Sequence, residues 1–166
     1  MLWWALLIAL SPPCFIVLHT LLGVALMPFY GVDKWRWRAG AIEIVAKKKT
    51  DGSTRIWFKP WAQTWGLIIF CADGAAYESE ALQVHERVHI LQTYLFGVLF
   101  PVTYLLSFVV LFSLVKAKLA WWERNKRDDD VWYAYRKIPW ELWAYSKQGR
   151  FERGEFQGTW GSFNNA

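Results

Sequence analysis

The chain has 166 residues, enough for one domain with its own core and too few for two. It is 55% hydrophobic, carries 13 Trp, and has a formal net charge of +5 with a pI near 9.3. That balance suits contact with a lipid bilayer bearing anionic head groups; with no recognised nucleic-acid motif, no nucleic-acid partner is expected.

Residues 2–30 carry no formal charge. As a helix they would span roughly 45 Å, more than a bilayer core needs. Pro12 and Pro13 interrupt the run, leaving Phe15 to Phe29 as its more continuous half. No basic n-region and no small-x-small cleavage site marks a signal peptide, so 1–30 reads as a retained membrane anchor. Lys34, Arg36 and Arg38 follow at once, which predicts a cytoplasmic location for residues 31 onward. Trp3, Trp4, Trp35, Trp37, Trp57, Trp61, Trp65, Trp121 and Trp122 flank charges or end apolar runs, as interfacial Trp does. His19 reads as a packed residue, and Cys14 and Cys71, without CxxC spacing, as buried free thiols.

Ala41–Ala46 alternates weakly and predicts a strand. Asp51-Gly52 marks a turn, Thr54–Lys59 a return strand, and Pro60 its end. Trp65–Cys71 is a short apolar run that fits a buried or edge strand. Asp73 or Ser79 can cap the helix that follows. On that helix Val84, Val88, Leu91 and Leu95 form one stripe, and His85, His89 and Gln92 line another.

His85-Glu86-Arg87-Val88-His89 is His-Glu-x-x-His, and it uses two of the chain's three histidines. Positions i and i+4 share one helix face, so two imidazoles can grip one zinc ion, and Glu86 can reach a water beside it. The bland alternative is a helix with polar residues on an exposed face. A zinc site needs a third protein ligand. Glu141 follows Pro139 at the predicted start of a helix, among aromatics and Ala144. A buried acid needs a partner: zinc, or else Arg136 or Lys137. Tyr135, Arg136 and Tyr145 are candidates to stabilise an oxyanion, and Gln92 to hold His89 from behind.

His85-Glu86-x-x-His89 with Gln92, followed by Tyr135-Arg136 and Pro139-x-Glu141-x-x-Ala144, resembles a group of small gluzincin-type metallopeptidases, over about residues 65–147. Ile138 stands where those relatives often carry Asn. The resemblance implies zinc held by His85, His89 and Glu141, with Glu86 as the base.

Thr93 to Val115 is a second uncharged run, basic on both flanks. A through-span would put the histidines and Glu141 on opposite sides of the membrane, and 116–138 is too polar to cross back. Gly97 and Pro101 therefore predict an antiparallel helical hairpin turning near Phe100. Asp128-Asp129-Asp130 reads as a solvated loop, and the residues after Gly149, with Gly154, Gly158 and Gly161, as an extended tail.

The expected architecture is α+β and zincin-like: a small antiparallel sheet on the HExxH helix in 31–147, an apolar hairpin at 93–115, and a Gly/aromatic tail at 148–166. The expected function is a membrane-associated zinc-dependent hydrolase acting on a peptide or protein substrate. The alternative is a non-catalytic membrane-bound structural or assembly protein on the same scaffold.

Overall fold

A computed structural model describes residues 11–53, 55–56, 61–117 and 130–155. The chain is α+β, with six helices and one four-stranded sheet among these residues. In chain order they are α1 (Pro12–Tyr30), β1 (Val32–Arg38), β2 (Ala41–Ala46), β3 (Ala62–Trp65), β4 (Ile68–Cys71), α2 (Gly74–Glu78), α3 (Glu80–Phe96), α4 (Leu99–Lys116), α5 (Asp130–Arg136) and α6 (Pro139–Glu152).

The sheet order is β1-β2-β4-β3, and the sheet is mixed, where the sequence predicts an antiparallel one. β1 and β2 form the first hairpin, Trp35 opposite Ile44 and Arg38 opposite Ala41, with the turn at Ala39-Gly40. The return strand predicted for Thr54–Lys59 does not pair with β2. Residues 55 and 56 are not in a strand, and 54 and 57–59 lie outside the described residues. β2 pairs instead with β4, in parallel, Glu43 beside Ile69. The run Trp65–Cys71 is the turn and second arm of a tight hairpin, Trp65 opposite Ile68.

Both central strands are covered on both faces, which explains their near-continuous apolar sequence. Ile44, Ile68 and Phe70 face Leu26 and Tyr30 of α1. Val45, Ile69 and Cys71 face the other way, toward Ile90 of α3 and Tyr77 of α2. The sheet is thus sandwiched between α1 and α3. α1 is built into this core: the Thr20 hydroxyl accepts from the Leu67 amide at 2.9 Å, and the Tyr30 hydroxyl donates to Gln63 at 2.9 Å. Gly66, at φ +59°, lies so close to α1 that an added Cβ would sit 2.2 Å from Thr20 Oγ1.

Both predicted caps are used. Asp73 accepts from the Ala76 amide (2.9 Å) and starts α2; Ser79 accepts from the Leu82 amide (3.3 Å) and starts α3. The predicted apolar stripe is corrected: Val84 and Val88 are buried, but Leu95 is half exposed and Ile90 takes the core position. α3 ends at Gly97 (φ +54°), three residues before the expected turn near Phe100. Pro101 falls in the first turn of α4, where its missing N–H costs nothing.

α1 and α4 are each long and apolar enough to cross a membrane. Their outward faces carry Leu18, Leu21, Leu22, Leu105, Leu106 and Val109, all exposed. Gly149 lies inside α6, so the extended tail does not begin there; 156–166 lie outside the described residues, as do Trp3, Trp4, Trp57, Trp121 and Trp122. Cys14 is half-buried, whereas Cys71 is fully buried and its thiol is pushed up to about 12 by burial.

Candidate metal centre

α3 carries His85, Glu86, His89 and Gln92, all buried. An arginine inside the motif fixes the helix to the sheet. Arg87 is fully buried, donates to the Glu43 carboxylate on β2, and reaches Arg38 O at 2.8 Å and Gln83 O at 3.2 Å. Glu43, equally buried, also accepts from Arg36 Nε at 2.6 Å. The residues one step either side of this anchor, Glu86 and Val88, and the histidines beyond them, take their register from it.

Glu141 lies in the first turn of α6, and Ala144, with no exposed surface, lets α6 approach α3 closely. The carboxylate meets both imidazoles: His85 Nε2 to Glu141 Oε2 is 3.0 Å, and His89 Nε2 to Glu141 Oε1 is 3.2 Å. The two Nε2 atoms are 3.3 Å apart. Glu141 is therefore not paired with Arg136 or Lys137. Among the described residues its other hydrogen-bond partner is the Tyr104 hydroxyl of α4, which donates at 2.6 Å. His89 and Tyr104 lie eight residues before and seven after Gly97, so the turn at Gly97 brings them level, rings 6.4 Å apart.

Donor atoms bound to zinc in a tetrahedron at about 2.0–2.1 Å are about 3.3 Å from one another. The two imidazole nitrogens, 3.3 Å apart, match that edge; Glu141 meets each of them through a different carboxylate oxygen, and one donor atom from each of the three buried side chains lies within 4.8 Å of the others. His85, His89 and Glu141 can hold a metal ion.

A hydrogen bond behind His89 sets its orientation. Gln92 Nε2 donates to Trp140 O at 3.0 Å, which turns Gln92 Oε1 to His89 Nδ1 at 2.8 Å. Nδ1 therefore carries a proton, and Nε2 is the atom left for a metal or a second proton. Burial opposes charge on His89, but the adjacent Glu141 carboxylate outweighs it and holds the imidazole up to about 9. Burial likewise pushes Glu141 up, and the His89 charge and the hydrogen bonds from both imidazoles reverse this, holding it well below the usual carboxylate range. His85 Nδ1 is buried with no partner among the described residues, and the Tyr145 ring packs on the His85 ring at 4.5 Å.

No family model matches this sequence, and no curated protein and no solved structure is similar enough to count as a match. What the site can do rests on its geometry.

Glu86 is held by a residue that motif reading does not reach. Thr64, on edge strand β3, donates from Oγ1 to Glu86 Oε2 at 2.6 Å, and Oε1 has no hydrogen bond among the described residues. Glu86 and Tyr135 line both of two cavities that meet at the site, of about 430 and 330 Å³. The site is thus open on two sides. Tyr135 is raised well above the usual tyrosine range by burial and so stays a proton donor; Tyr145, half-exposed, is pushed up to about 12, first by burial and then by Glu141. Arg136 is exposed and lines neither cavity. His19 is apart from the three ligands, with its ring edge-on to Trp65 at 5.3 Å.

Proposed function

We propose that this chain is a zinc-dependent peptidase held at a membrane by α1 and α4. One observation carries the reading: three buried donors, one atom of each within 4.8 Å of the others, beside the Glu86 carboxylate that Thr64 holds by one oxygen. A site that serves only stability is closed, whereas this one opens onto two cavities.

His85, His89 and Glu141 would hold the zinc, which when bound supplies Lewis-acid chemistry: it acidifies water and polarises a carbonyl. Glu86 accepts a proton from the attacking water as its oxygen bonds to the scissile carbon. When the C–N bond breaks, Glu86 returns that proton to the leaving amine. Thr64 keeps Glu86 aimed, and Tyr135, reaching both cavities, donates to the oxygen that gains charge. Tyr104 and Gln92 hold Glu141 and His89 in place.

A polypeptide substrate is favoured by β3. Among the described residues it pairs with β4 alone, and all four of its residues line the larger cavity. An extended peptide can pair with such an edge. The basic residues after α1 favour a cytoplasmic site.

The test is elemental analysis of detergent-purified protein together with cleavage of an unfolded protein substrate. About one zinc per chain is expected, lost in His85→Ala and weakened in Glu141→Gln. Glu86→Gln should keep the zinc and lose turnover. No zinc after resupply, or full activity in Glu86→Gln, refutes the reading. Stoichiometric zinc with no cleavage by the wild type would instead favour the structural role.

A further inference from the structure

The two cavities differ in chemistry, and the difference falls at Glu86. The larger is walled by His19 from near the middle of α1, by Phe100, Leu105 and Phe108 from the start to the middle of α4, and by Trp65 and Trp132. It opens at Glu86, His89 and Glu141. The smaller lies beyond His85 and carries Ser79, Tyr145 and Gln148. Ala62, Glu86, Trp132 and Tyr135 belong to both, so the two are halves of one cleft. β3 runs along it, Ala62 at the shared centre and Gln63 to Trp65 in the apolar half. A chain following β3 would therefore pass from mixed surroundings, where Ser79, Tyr145 and Gln148 stand beside Ala75, Ala76 and Leu82, into predominantly apolar ones across the reacting bond.

The apolar half also sits at a particular depth. Among the described residues α1 and α4 are the two helices long and apolar enough to cross a membrane, and the middle of each contributes to its wall. Leu105, which lines the cavity, is also 62% exposed on the outer face of α4, so the wall is continuous with the surface that would meet lipid.

We propose that the cleft takes a polypeptide at the junction between a membrane-embedded apolar stretch and a polar one. The apolar stretch lies between α1 and α4, the polar stretch leaves past Ser79 and Gln148, and the cut falls at the junction. This substrate class rests on the peptidase reading of the same site.

The test uses the full chain, zinc-loaded in detergent micelles, with two end-blocked peptides. One joins a Leu/Phe-rich half to a Ser/Gln-rich half; the other is Ser/Gln-rich throughout. The junction peptide should be cut within a residue or two of its junction, located by mass spectrometry. Its kcat/KM should be roughly ten- to hundred-fold higher, the discrimination that burying a large apolar side chain supplies. Leu105→Asp, and Phe108→Ala as a milder second variant, should reduce that preference at unchanged zinc content. Binding of both labelled peptides to Glu86→Gln protein, by fluorescence anisotropy, should show the same preference without turnover. Equal cutting and binding of the two peptides, or a preference untouched by both variants, overturns the proposal while leaving a zinc peptidase. If the protein takes up no zinc and cuts neither peptide, the peptidase reading falls; tighter binding of the junction peptide, lost in Leu105→Asp, then still assigns the cleft, and equal binding removes it.

Discussion

Gln92 offers the sharpest test of the candidate metal centre, because it touches the candidate ligand His89 without being one. Its side chain is fully buried, accepts from His89 Nδ1 at 2.8 Å, and is held by its own donation to Trp140 O at 3.0 Å. Gln92→Ala removes the acceptor that fixes the imidazole tautomer and leaves Nδ1–H unpaired in a buried site. Loss of such a partner behind a ligand costs about 10- to 100-fold in metal affinity, or about 1.4–2.8 kcal/mol. Gln92→Glu restores an acceptor to Nδ1 while losing the donor to Trp140, so it should recover zinc affinity yet loosen α6 from α3. Zinc affinity would be read by competition with a chromogenic chelator, and the α3–α6 contact by thermal unfolding of the zinc-free protein. Zinc affinity unchanged in Gln92→Ala, with His85→Ala abolishing it, would show that the His89 orientation does not depend on Gln92.

Other perturbations probe the frame around the site. Glu43→Ala should cost about 3–5 kcal/mol, because it strands the buried Arg87 guanidinium; against the usual 5–15 kcal/mol for a domain, detergent-solubilised protein should show a much lower denaturation midpoint, and an unchanged midpoint would refute the anchoring role. Gly66→Ala should cost about 2–5 kcal/mol from its positive φ and its approach to Thr20, while Gly74→Ala, with nothing within 4 Å of the added carbon, should be neutral or slightly stabilising. In chelator-treated protein the His89–Glu141 pair sets the pH dependence. His89, raised from 6.5 to about 9, contributes stability present below about pH 6.5 and lost as pH rises through about 9. Glu141, depressed from 4.5, contributes stability present above about pH 4.5 and lost on acidification. Chelated protein should thus be most stable between about pH 4.5 and 6.5 and lose about 3 kcal/mol by about pH 9, whereas zinc-loaded protein should gain affinity for its metal over the same rise.

Local sequence made the residues of the site legible, and long-range pairing made the sheet obscure. His85 and His89 share a helix face wherever that helix lies, and Asp73 and Ser79 act within three residues of themselves, so each could be read from spacing. The partner of β2 could not. Its apolar alternation is compatible with a neighbour on either side, and the turn signal at Asp51-Gly52 pointed to the wrong one. β1 was overlooked because Trp35, Lys34 and Arg36 read as an interfacial flank when they also form an edge strand. Tyr104 was within reach of counting only from Gly97, not from the expected turn near Phe100: it lies seven residues after Gly97, and His89 eight before. Thr64 was not, because nothing local marks which residue of an edge strand will face Glu86. Arg87 reads as a variable position of the motif, and its pairing with Glu43 joins residues 44 apart in sequence.

The position of Gly97 explains how an apolar helix and a buried acid come to serve one site. If α3 ran straight on into α4, the uncharged run would carry the chain away from His85 and His89, and Glu141 would have no short way back. The break at Gly97 reverses the chain before the apolar residues begin in earnest, so Phe100 and Tyr104 return to the His89 ring and only the later turns of α4 extend outward. Trp140 closes this elbow from the other side: its indole donates to Thr103 Oγ1 at 3.0 Å, its ring meets Phe96 and Phe100, and its carbonyl receives Gln92. Glu141 is the next residue. The side chain that seals the elbow therefore also sets the start of α6, and the acid is delivered to the histidines by the same contact that turns the apolar helix back.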